Sequence, residues 1–153
     1  MQPQTTKRCN LLCILLLLAL FAFHFLPAWE FGGETLSMLG YIWFPLDHTD
    51  LTAHFASQYG GFRVEELVFT SASCMLLPIA AIVLVILYPE SCLPSLCGLA
   101  GGVIVIAGML SHPVYTISRA FIPYMVTAVF LVAVSLVSVL PRALHTLRSA
   151  RKK

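Results

Sequence analysis

From Leu67 to Tyr88 the chain carries no charged side chain, and this uninterrupted apolar length limits what it can fold into more than any other feature. A helix rises about 1.5 Å per residue, so roughly 20 residues cross a hydrocarbon core of about 30 Å. In lipid the backbone amides must be satisfied within the segment, which makes such a run a helix. Three similar runs occur, and spans are expected at about 9–29, 67–88, 96–117 and 120–140. Composition points the same way: the 153 residues are 59% hydrophobic and only 10% charged, unlike an ordinary soluble domain. The expected fold is an all-α integral membrane protein. A four-transmembrane-helix bundle would take up residues 1–153 as a single membrane domain, with a structured extracytoplasmic loop between helices 1 and 2.

The first run has the basic flank and Leu-rich centre of a secretory signal, but it ends in Phe25, Leu26, Pro27, Ala28 and Trp29. That ending lacks the small-residue cleavage pattern. An uncleaved first helix with Trp29 at the interface is expected; a cleaved signal followed by three spans is the alternative.

Charge is distributed unevenly. Lys7 and Arg8 precede the first run, and Arg142, Arg148, Arg151, Lys152 and Lys153 follow the last. Glu30, Glu34, Asp47, Asp50, Glu65 and Glu66 all fall between the first and second runs. Basic residues near span ends favour the cytoplasm. Both termini are therefore expected there, with loop 30–66 outside and 141–153 as a cytoplasmic basic tail. Pro141 and Arg142 are expected to stop the fourth helix. The plasma membrane is the expected location, the cytoplasmic membrane if the chain is bacterial. Two residues fit this orientation poorly: Glu90 in a turn that should be inside and Arg119 in one that should be outside.

Loop 30–66 is too long for a bare connection. Leu36–Phe44 is apolar but too short to span, so it reads as a short re-entrant or interfacial helix, or a strand, ended by Pro45. Asp47 or Thr49 can cap a second short helix over about Asp50–Tyr59, which Gly60 and Gly61 would close.

Three groups of residues are candidates for chemistry or assembly. Asp47, His48, Asp50 and His54 place two imidazoles and two carboxylates within eight residues, a donor set acceptable to zinc and related divalent metals. The same residues also read as a capped surface helix. Gly98, Gly102 and Gly108 give the third span a small-residue face for close helix approach, either within the chain or against a partner. His24 and His112, at the ends of apolar runs, and Arg119 mark an intramembrane or interfacial polar site. A carbonyl bond for each His and an ion pair to a loop acid for Arg119 are the structural alternatives. The five cysteines lie in or beside apolar runs, where a disulfide framework is not expected.

No Gly-x-Ser-x-Gly, phosphate-binding glycine loop or zinc-protease spacing occurs, so no catalytic residues are assigned. The leading expectation is a non-enzymatic accessory subunit or interaction module in the lipid bilayer, with a membrane-protein partner or self-association. A small homo-oligomeric transporter or channel is the alternative, and a metal-dependent membrane enzyme using the Asp/His cluster is a second. No cofactor is expected, a divalent metal at that cluster excepted, and no nucleic acid.

Overall fold

The computed structural model describes residues 3–31, 33–43, 53–54, 57–58, 60, 64–111 and 113–150. It is mostly helical. Helix α1 (Pro3–Phe23) leads into a hairpin of β1 (Pro27–Phe31) and β2 (Glu34–Ser37), and α2 (Met38–Trp43) follows directly. The chain continues as α3 (Val64–Leu87), α4 (Leu93–Leu110), the short α5 (Pro113–Thr116) and α6 (Phe121–Ala150). Four of these, α1, α3, α4 and α6, are long and apolar enough to cross a membrane.

All four turn large apolar side chains outward, and on α3 the inward face is small. On α3, Phe69, Leu76, Ile79 and Ile86 are exposed, whereas Thr70, Ser71, Cys74 and Ala81 are buried. In water such an exterior would be costly; in lipid it is solvated, and the small inner face lets backbones approach closely. This pattern makes the chain a multi-pass membrane protein. Helix α4 packs against both α3 and α6, and α1 against α6, α3 and α4. Leu17, Leu20, Val105 and Leu131 are fully buried between them.

Glycines set the closest approaches. A Cβ at Gly98 would lie 2.7 Å from Ser135 Oγ, 3.0 Å from Leu131 Cδ1 and 3.1 Å from Cys13 Cβ, so α1, α4 and α6 meet there. At Gly102 it would come within 2.9 Å of the Ala128 carbonyl, and at Gly108 within 2.5 Å of Thr70 Oγ1.

The boundaries depart from the sequence expectation in three places. Helix α1 ends at Phe23 rather than near Trp29, because Pro27 has no amide proton and disfavours a helical residue before it. The chain then forms a hairpin with Trp29 opposite Leu36 and Glu30 opposite Thr35, an element outside an all-α reading. Gly33, at φ +89°, makes its tight turn. The stretch Leu36–Phe44 was open between helix and strand; its described part contains both, with Ser37 Oγ accepting the Gly40 amide at 2.9 Å where strand gives way to helix. Finally, α6 continues through Pro141 to Ala150. A proline within a helix removes one backbone bond, and Arg142 anchors the next turn by donating to Thr6 Oγ1 and to the Glu90 carbonyl. The third span stops at Leu110, where Ser111 Oγ donates to the Gly108 carbonyl at 2.8 Å.

Candidate functional site: a polar cleft at the hairpin end

With about 30 Å of rise along the 21 residues of α1, its two ends are distinct environments. The end holding its N-terminus gathers Asn10, Ser91, Ser95, Ser135 and Arg142. Asn10 Nδ2 donates to the Ser91 carbonyl at 2.9 Å, and Ser95 Oγ donates to Asn10 Oδ1 at 2.7 Å. Cys13 Sγ lies 3.4 Å from Ser135 Oγ. Asn10 and Ser95 are almost completely buried, so these bonds replace water where none is available. Glu90, the acid that fits the charge pattern poorly, sits 3.7 Å from Lys7 Nζ, and its carbonyl receives Arg142.

The opposite end is built from the close of α1, the hairpin and the turn between α5 and α6. His24 is 1% exposed. Its Nδ1 lies 3.0 Å from the Leu20 carbonyl and 2.6 Å from Tyr124 Oη, while Nε2 is buried with no partner among the described residues. The carbonyl contact is the structural alternative raised for a histidine at this depth. His24 thus holds the first and last long helices together, with Tyr124 fully buried beside it.

The hairpin is fastened to this end by backbone. Arg119 N donates to the Ala28 carbonyl at 2.8 Å, and Leu39 N to the His24 carbonyl at 3.2 Å. Trp29, 3% exposed, packs against buried Tyr115 with ring centroids 6.4 Å apart. Ser118 Oγ accepts the Ala120 amide at 3.1 Å and fixes the turn that carries Arg119. Arg119 and Glu30 consequently emerge side by side and form an ion pair, with 67% and 40% of their side chains exposed.

Beside this pair lies a polar cleft of about 240 Å³, lined by Trp29, Glu30, His54, Gln58, Ile117 and Arg119. His54 and Gln58 are each in helical conformation. A separate apolar groove between α3 and α4, bordered by Phe69, Val103 and Gly108, lacks converging charged groups and is ordinary lipid-facing relief.

The sequence-derived candidates fare differently. Arg119 and His54 line the same cleft, whereas His24, just past the end of α1, is buried and does not line it. Asp47, His48, Asp50 and His112 lie outside the described residues, as does most of the helix expected over about Asp50–Tyr59. Among the described residues no group of three or more His, Cys, Asp or Glu side chains is placed to hold a metal. Gly98, Gly102 and Gly108 face neighbouring helices of the same chain. Glu30, Gln58 and Tyr124 were not singled out from sequence. Glu30 was one of six loop acids, and only the register of the hairpin brings it to Arg119. Asn10 gave a usable signal, a lone amide in an apolar run.

No protein-family model, curated protein or solved structure matches this chain.

Proposed function

We propose that the protein is a four-helix membrane bundle of the plasma membrane with both termini in the cytoplasm, acting as a non-enzymatic accessory subunit or interaction module. The observation that carries this reading is the contrast between interior and ends. Leu17, Leu20, Val105 and Leu131 fill the space between the helices. The buried polar groups among them include hydroxyls such as Thr70, Ser71 and Ser135 but no charged side chain, and the charged pairs of the described residues lie at the two ends. A transport path needs polar or ionisable groups through the membrane interior; this packing favours a scaffold over a pore.

The orientation is supported by the pairing of the two poorly fitting charges. Glu90 is covered by Lys7 and Arg142 at the basic end, and Arg119 is neutralised by Glu30 at the acidic one. The glycine face of α4 is used inside the bundle, which leaves the segment 30–66 and the outer faces of α3 and α6 for partners.

Co-purification from native membranes in mild detergent tests the proposal. A stoichiometric membrane-protein partner is the expected result. A monomer with no partner, or solute flux in proteoliposomes of the purified chain, would overturn it.

A further inference from the structure

We infer that the cleft at the hairpin end binds an aminoalkyl phosphate headgroup, with the phosphate on Arg119 and the primary ammonium on Glu30. This inference rests on the cleft alone and holds whether or not the chain proves to be an accessory subunit.

The cleft volume is about 240 Å³, below the roughly 300–1,000 Å³ of ordinary small-molecule sites. It suits a headgroup. Both charges are present within hydrogen-bonding reach of each other. A bare anion would be drawn to Arg119 and repelled by Glu30, and a bare cation would meet the reverse. A ligand carrying an oxyanion and an ammonium a few bonds apart satisfies both.

Arginine presents five donors in a planar fork that matches phosphate oxygens, and one terminal nitrogen of Arg119 is engaged by Glu30 Oε2. Exposure of 67% for the Arg119 side chain leaves the fork accessible. An exposed pair of this kind contributes little to stability, so little is lost when a ligand inserts between the partners.

Two further points narrow the class. The ammonium is a primary one, because its N–H groups can donate to the Glu30 carboxylate, whereas a quaternary ammonium has no donor to offer. The cleft also lies at the ends of helices that are long enough to cross the bilayer, the depth at which phospholipid headgroups sit. Phosphatidylethanolamine is therefore the membrane source of this chemistry, and free phosphoethanolamine the aqueous one.

The test uses the full chain in mild detergent, given equal amounts of dioleoyl phosphatidylethanolamine, phosphatidylcholine and phosphatidylglycerol, with bound lipid counted by native mass spectrometry. The ethanolamine lipid should be retained roughly fivefold over the other two, the scale of one exposed ion pair. Glu30→Gln should reduce it to the choline level. Ile117→Trp, which fills the cleft and keeps both charges, should remove the preference as well and provides an independent reading if Glu30→Gln does not fold. Displacement by free phosphoethanolamine would support the same chemistry from the aqueous side; retention against it would support the membrane lipid. Equal retention of all three lipids, a preference for phosphatidylglycerol, or a preference that survives both variants would overturn the inference.

Discussion

The two ends of the helices use polar residues in opposite ways. At the N-terminal end of α1, Asn10 is bonded to Ser91 in the α3–α4 turn and to Ser95 on α4, with Asn10 and Ser95 excluded from solvent. At the hairpin end, Arg119 and Glu30 are bonded to each other but remain partly exposed beside an open cleft. Buried polar groups hold helices in register, because in lipid their alternative is an unsatisfied bond; exposed charges contribute little to stability and remain available to a ligand. The first end is built as a clasp and the second as a site.

The largest expected effect lies toward the clasp, where three helices meet. Gly98→Val would put its Cβ at 2.7 Å from Ser135 Oγ before its two methyls are considered. Overpacking of this kind costs typically 1–3 kcal/mol, and the clash with both α1 and α6 puts it near the top of that range. Thermal unfolding in detergent measures it. A Gly98→Val protein as stable as the parent would show that α1 and α6 can part at this level, and the clasp description would fail.

Next comes Asn10→Ala. It removes the donor to the Ser91 carbonyl and leaves the Ser95 hydroxyl without its acceptor. Interhelical bonds in membranes average about 0.6 kcal/mol, with a maximum of about 1.7. The loss of two and the orphaning of a buried hydroxyl predict roughly 1.5 kcal/mol. Ser95→Ala, which removes only the bond to Asn10 Oδ1 and leaves the amide donor on the Ser91 carbonyl, separates the two contributions.

These two residues also illustrate what was legible beforehand. The spans were, because lipid demands uninterrupted apolar sequence, and so were Gly98 and Gly102, whose four-residue spacing places them on one face. The hairpin was not, since Pro27, Ala28 and Trp29 read as the close of the first span and the short stretch from Glu30 to Ser37 carries no clear alternation of apolar and polar residues. The contact between His24 and Tyr124 crosses 100 positions and leaves no local periodicity. The cleft depends on both: Glu30 meets Arg119 only after the hairpin has formed and the fourth span has come to lie beside the first. The expected stop at Pro141 failed for a related reason, as its helix is held by Thr6 and Glu90 from distant parts of the chain.

Tyr124→Phe should have a smaller effect than Asn10→Ala. The ring keeps its packing against Phe23 and His24, and only the bond to Nδ1 is lost, about 0.6–1.7 kcal/mol by the same membrane range. His24 retains its contact with the Leu20 carbonyl, so the lower half of that range is expected in the unfolding midpoint. A loss exceeding that of Asn10→Ala would mean that the hairpin end is also clasped, beneath its cleft.

The smallest effects are expected of the exposed ion pairs, and here the two ends should agree. Lys7 and Glu90 are 3.7 Å apart and more than half exposed; Arg119 and Glu30 are closer but still open to solvent. Exposed pairs contribute about 0–1 kcal/mol and weaken with salt. Lys7→Gln and Glu30→Gln should therefore each cost less than about 1 kcal/mol, with the difference vanishing at high ionic strength. Unfolding scans at low and high salt measure both variants under identical conditions. If Glu30→Gln instead costs as much as Asn10→Ala and the loss persists in salt, the pair is anchoring the hairpin to the α5–α6 turn. The cleft would then be a by-product of that anchor, because the backbone bond from Arg119 to Ala28 would no longer suffice to hold the hairpin once the charge is gone.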